Sequence, residues 1–220
     1  MTVASKRVPA QPGLKLRELR IEKGLTLNDL SERTGLPASS VSKMENGKTE
    51  ITFGKLVKFS EALGVDITAL LGSQSHANNP PIPQVEGAMR RSIYRAGEGE
   101  AVETPRGNYL YLVTEVLHKR FAPIIGDVLH KDISTYGEYS QHDGEEFVYV
   151  LSGTLELHTE MYTPAVLEEG DSMFFDSAMR HAYIAKGDVP CRIMSICTTP
   201  DLFLPKAGAD APVKKAGPEA

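Results

Sequence analysis

The chain has 220 residues, a formal charge of −5 and two cysteines. It holds no run of about eighteen apolar residues, and its first residues (MTVASKRVPAQPG) lack the apolar stretch of a secretory signal, so a membrane-spanning or exported protein is not expected and a cytoplasmic one is. Cys191 and Cys197 lie six apart in a strand-like segment, the wrong spacing for a CxxC metal or redox pair, and are read as buried thiols in a reducing compartment.

Charge is unevenly placed. Residues 1–75 carry +3 and residues 76–220 carry −8. A basic front on an acidic rear suits a polyanion-binding head joined to a solubilising sensor, although solvated faces give the same asymmetry.

Residues 1–12 are expected to be disordered. From Leu14 to Leu71 the apolar residues recur at helical spacing in short blocks (Leu16, Leu19; Leu27, Leu30; Val41, Met44; Phe53, Leu56, Val57, Leu63; Ile67, Leu70, Leu71), which predicts five short helices over a domain of residues 13–72. Gly24, Gly35 and Gly47 are read as helix ends, Thr26 and Thr52 as N-caps, and Pro37 as the opening of the third helix. Residues 73–91 include a stretch rich in Pro, Asn, Gly and Ser without apolar periodicity, and are read as a linker.

Beyond the linker the pattern changes. YLYLVTEVL, IIGDVLHK, EFVYVLSG, TLELHTE, SMFFD, HAYIA and CRIMSICT are short, rich in β-branched and aromatic residues, and punctuated by Gly, Pro and Asp. They predict a small all-β sandwich or barrel over residues 92–204, followed by a tail, residues 205–220, with almost nothing to bury. The fold class is therefore two-domain α + β.

In TLNDLSERTGLPASSVSKMENGKT two helical blocks meet at a tight turn containing Gly35, which sets a second helix across the first. This resembles the phage-repressor (Cro/C1, or XRE) helix-turn-helix, most specifically at ENGKT, residues 45–49. The resemblance implies an Arg20–Glu45 ion pair between the first helix and the end of the third. It also implies that Ala38, Ser39, Ser42 and Lys43 face base edges of double-stranded DNA, while Thr26, Asn46 and Lys48, with backbone amides near Asn46, hold phosphates. The alternative for the five helices is a dimerisation or docking module. For single residues, Asn46 and Gly47 could form a plain helix C-cap and Lys43 a solvated lysine.

The stretches S-Q-H-D-G-E-E-F-V-Y-V-L-S-G (residues 140–153) and G-D-S-M-F-F-D-S-A-M-R-H (residues 170–181) resemble the two cupin motifs, implying a double-stranded β-helix, or jelly-roll, barrel. By that resemblance His142, Glu146 and His181 are the ligand set, with Ser140 replacing a further histidine. Two imidazoles and one carboxylate leave open positions on a divalent metal such as Zn(II), Fe(II) or Mn(II). The alternative is a metal-free polar cluster that binds an effector in the barrel mouth. Tyr109, Tyr111 and Tyr149 are further pocket candidates, against a role in sheet packing. His118, His130 and His158 are read as surface or rim residues, and His76 falls in the linker.

Joined, the halves read as a DNA-binding transcriptional regulator, expected as a homodimer on paired half-sites, whose barrel takes a small-molecule effector. The alternative is enzymatic. The hydroxypropylphosphonate epoxidases look like this chain in build, with a helix-turn-helix-like domain and a cupin holding non-haem iron; under that resemblance the same three residues hold Fe(II), with Tyr111 nearby.

Overall fold

A computed structural model describes residues 10–72, 89–117 and 119–198. Most of the expected linker, the C-terminal tail, His76 and His118 lie outside the described residues.

Five helices come first: α1 (Pro12–Glu22), α2 (Leu27–Thr34), α3 (Ala38–Glu45), α4 (Phe53–Leu63) and α5 (Ile67–Leu70). Their ends follow local chemistry. Thr26 accepts from Asp29 N at 3.1 Å while the Asp29 carboxylate accepts from Thr26 N at 2.7 Å, a reciprocal cap that starts α2. Gly35 and Gly64 end α2 and α4 in the left-handed conformation that other residues enter at a cost. Leu16, Leu30, Val41, Leu56 and Phe59 fill the bundle with no exposure, each leucine contributing roughly 1.5–3 kcal/mol of burial. The Arg20–Glu45 pair is present and two-pronged, with Arg20 Nε and Nη2 donating to the two Glu45 oxygens at 2.6 and 2.9 Å; the remaining Nη1 donates to the Leu25 carbonyl. Thr26→Ala is expected to cost about 1 kcal/mol in chemical denaturation, because it strips the cap from α2.

The segment expected to be disordered is held at its end. Ala10 N donates to the Ala101 carbonyl at 2.7 Å, and α1 opens at Pro12, where a proline's missing N–H costs nothing.

Among the described residues nine strands follow: β1 (Glu100–Glu103), β2 (Gly107–Tyr111), β3 (Phe121–Val128), β4 (Glu145–Ser152), β5 (Thr154–Thr159), β6 (Ala165–Leu167), β7 (Ser172–Asp176), β8 (His181–Lys186) and β9 (Cys191–Thr198). They pair antiparallel in two sheets, ordered β1-β2-β3-β9-β4-β7 and β6-β5-β8. Alternation sorts their faces. In β4, Glu146, Val148 and Val150 are buried while Glu145, Tyr149 and Leu151 are exposed; in β9, Cys191, Ile193, Ser195 and Cys197 are all buried.

Bundle and barrel meet directly. One apolar cluster runs from Leu16, Leu56 and Phe59 into Val102, Tyr111, Ile124 and Cys197, with Ile51 and Phe53 packed against it. The ion pairs Lys55–Glu138 at 3.1 Å and Arg106–Glu50 at 3.3 Å flank the junction. Gly54, in the first turn of α4, lies so close to the Gln141 carbonyl that a methyl group there would overlap its oxygen and sit 2.9 Å from its carbon.

Candidate functional site

The junction encloses a cavity of about 60 Å³. The barrel supplies His142 from the loop before β4, Glu146 from β4, His181 and Tyr183 from β8, Ser195 and Cys197 from β9, and Tyr109 and Tyr111 from β2. The helical domain supplies Glu50, Ile51, Thr52 and Phe53, which roof it. Phe53 stacks on Tyr111 at 6.4 Å between ring centroids and meets the His142 ring edge-on at 4.9 Å.

Glu146 is the hub. Its Oε2 accepts from His142 Nε2 at 3.0 Å, and its Oε1 accepts from the Tyr183 hydroxyl at 2.6 Å and from the Ser195 hydroxyl. Burial pushes this carboxyl up, but the His142 hydrogen bond and the facing imidazoles more than offset it and hold it at about 2. Burial pushes His181 down, favouring the neutral ring, and burial followed by the Glu146 charge pushes Tyr183 well up. His181 Nδ1 donates to the Met179 carbonyl at 2.9 Å, which leaves its Nε2 lone pair facing Glu146 Oε2 at 3.6 Å.

Two acceptors that close can share a cation between them. The nitrogens of His142 and His181 and the Glu146 oxygen all lie within 4.8 Å of one another and are buried. A deprotonated carboxylate, a neutral imidazole and a backbone carbonyl that fixes the ring's tautomer are what a divalent ion requires. The residues fit a metal of the Zn(II), Fe(II) or Mn(II) type.

Residues 16–70 match the helix-turn-helix family model (HTH_3), and residues 133–197 match the cupin domain model (Cupin_2). The chain thus carries an HTH_3-type helix-turn-helix domain followed by a cupin domain. Over 194 residues this chain is 25% identical to the HTH-type transcriptional regulator PuuR of Escherichia coli (strain K12), covering 87% of this chain and 96% of that one. Over 63 residues it is 35% identical to the propionyl-CoA carboxylase regulator of Cereibacter sphaeroides, covering 29% of this chain and 14% of that one. Its fold matches the crystal structure of an HTH_3 family transcriptional regulator from Vibrio cholerae, with a TM-score of 0.53, 17% identity, and coverage of 86% and 95%. Hydroxypropylphosphonic acid epoxidase from S. wedmorenis aligns at 24% identity over 88% of this chain and all of that one, with a TM-score of 0.43.

In the helix-turn-helix, Ser39, Ser42, Lys43 and Asn46 share one outward face of α3, opposite the buried Val41 and Met44; Ser39, Lys43, Asn46 and Lys48 are exposed, and Ala38 and Ser42 are half-buried. The Thr26 hydroxyl is engaged in the α2 cap. The backbone amides of Asn46, Gly47 and Lys48 bond inward to Ser42, Met44 and Lys43 carbonyls, closing the end of α3 rather than standing free for phosphate.

The structure brings Tyr109 and Tyr111 into the cavity wall and leaves Tyr149 out. Tyr149 is three residues from Glu146 on one strand, so the two point to opposite faces, and Tyr149 is exposed. His142 sits in the loop before β4 rather than on the strand, its amide donating to the Ser177 carbonyl. His130 contacts Thr135 and packs edge-on behind Tyr136, and His158 pairs with Glu156 at 2.7 Å; neither lines the cavity. Both cysteines are buried thiols, and burial raises Cys191 to about 11. Sequence reasoning missed Tyr183, Ser195, Arg106 and the roof residues. The signal for Tyr183 was present: it is two residues beyond His181 and shares its face.

Proposed function

We propose that a small effector enters the cavity at the junction, contacts the His142–Glu146–His181 cluster with or without a divalent metal, and changes how the helix-turn-helix is presented to DNA. The observation that carries this reading is the roof. Glu50, Ile51, Thr52 and Phe53 line the same cavity as the three cupin residues, and they follow directly on Asn46 and Lys48 at the end of α3. One short segment therefore has its start on the DNA side and its end on the effector. A ligand that prefers one position of this segment shifts the equilibrium between reading and non-reading forms by its differential affinity alone.

In this reading Ser39, Ser42 and Lys43, with Ala38 at the helix start, approach base edges, and Asn46, Lys48 and the region of Thr26 approach phosphates. A homodimer sets two heads on half-sites about one helical turn, roughly 34 Å, apart. A bound divalent ion would supply open coordination positions for a ligand oxygen or nitrogen. The protein works as a cytoplasmic regulator and not as an enzyme, in keeping with the transcriptional-regulator names of its relatives and the +3 charge of its first 75 residues.

The test is DNA binding by the full-length protein to fragments flanking its own gene, followed by fluorescence anisotropy across salt, with and without a chelator. Selective, salt-steep binding is expected. Lys48→Ala should lower the slope of log affinity against log salt by about 0.9, the contribution of one neutralised phosphate. No selective binding, together with iron-dependent oxygen consumption, would replace the regulator with an oxygenase.

A further inference from the structure

Arg106, half-buried in the cavity wall, has hydrogen-bonding capacity that no described residue fills. Arg106 stands in the β1–β2 turn, where Thr104 Oγ1 accepts from the amides of Arg106 and Gly107, each at 3.1 Å, so the backbone beneath it is fixed. Its guanidinium lies 4.4 Å over the Tyr136 ring, and its Nε faces Glu50 Oε2 at 3.3 Å. Nη1 is buried and has no acceptor among the described residues. A buried N–H left unpaired costs free energy, more so on a charged group, and a guanidinium presents its donors in a planar fork matched to a carboxylate.

Among the described residues, the acids that line the cavity do not meet this need. Glu146 is engaged by His142, Tyr183 and Ser195, and Glu50 reaches the Nε side of the guanidinium. Phe53, Val102 and Ile124 add apolar surface to the wall. At about 60 Å³ the space is well below the roughly 150 Å³ that admits benzene, so the occupant is small.

We propose that the effector is a short aliphatic carboxylate, that Arg106 is the residue selecting it, and that its charge displaces Glu50 from Arg106. This rests on the reading of the cavity as the effector site and names its ligand class. Glu50 belongs to the helical domain, two residues beyond Lys48, whereas Arg106 belongs to the barrel. A second carboxylate on the same guanidinium repels the first, so the incoming acid loosens the tie that holds the segment between α3 and α4 against the barrel.

The experiment is calorimetric titration of the full-length protein with acetate, propanoate and butanoate, and with butylamine and butanol as cationic and uncharged counterparts. At least one acid is expected to bind and the amine and alcohol are not. Arg106→Gln should weaken acid binding at least about tenfold, the lower end for a charge-assisted hydrogen bond. Glu50→Gln, which leaves the guanidinium in place and removes its competitor, should tighten it about threefold or more, and keeps the test open if the Arg106 variant folds poorly. Binding of the amine or alcohol as tightly as the acid, or acid binding indifferent to both substitutions, overturns the carboxylate proposal while the cavity remains an effector site. Failure of every probe to bind removes the effector-site reading and this inference with it.

Discussion

Gly54→Ala is expected to destabilise the protein, although the same change in an ordinary helix stabilises it. Gly54 occupies the first turn of α4 at helical φ, where alanine is worth roughly 0.5–1 kcal/mol over glycine. Here the added methyl would overlap the Gln141 carbonyl oxygen and lie 3.2 Å from His142 Cβ. Backbone on both sides gives way poorly, and overpacking of this kind costs about 1–3 kcal/mol. The sign of the change therefore reports the docking of α4 on the barrel. Chemical denaturation should show the loss, and small-angle scattering should show a larger radius if the helical domain lifts away. A gain in stability with an unchanged radius would mean that the roof is not seated as described, and the coupling of cavity to reading helix would fall with it.

What the sequence made legible was local. Thr26, Gly35 and Gly47 announce helix ends because capping depends on residues within one turn, whereas the Arg20–Glu45 pair and the His142, Glu146, His181 set came only from the resemblance to the helix-turn-helix and cupin motifs. Parity within a strand was legible too: counting by twos from Glu146 excludes Tyr149, and from His181 it finds Tyr183. Ser195 was out of reach because it meets Glu146 only through the pairing of β9 with β4, which sets Cys197 beside Glu146. The roof was out of reach for a larger reason. Glu50 and Phe53 carry the signature of a loop and a helix start, and nothing within several residues says that another domain closes on them. Gly54 was the available clue, since a glycine inside an apolar helical pattern marks a close approach of backbone. Arg106 carries no signal of its own in the sequence, because Tyr136 and Glu50, which flank it, come from distant parts of the chain.

With metal chelated, the protein is expected to lose stability in two stages as pH falls, and Glu146→Gln should remove the lower one. His181 is pushed down by burial, so between its ordinary value near 6.5 and its lower folded value the unfolded chain takes up a proton that the folded chain refuses, and stability declines through that window. Glu146 is held at about 2 against an ordinary value of 4.5. Its contribution is fully present above 4.5 and is lost as pH falls from there through about 2, a difference of about 3 kcal/mol at roughly 1.4 kcal/mol per unit. Glutamine keeps the shape and one acceptor but does not titrate, so the limb below 4.5 disappears. The upper limb should grow, because His181 loses the carboxylate charge that had been raising it against burial. The same variant gives up the anionic ligand of the cluster, and divalent-metal affinity measured by competition with a chromogenic chelator should drop at least about a hundredfold, since disturbing even the partners of a ligand costs ten- to hundredfold. Parallel pH profiles for the two proteins would show that the carboxylate is not the group that titrates. Unchanged metal affinity would move the ion elsewhere and leave His142, Glu146 and His181 as a polar cluster that serves the effector alone.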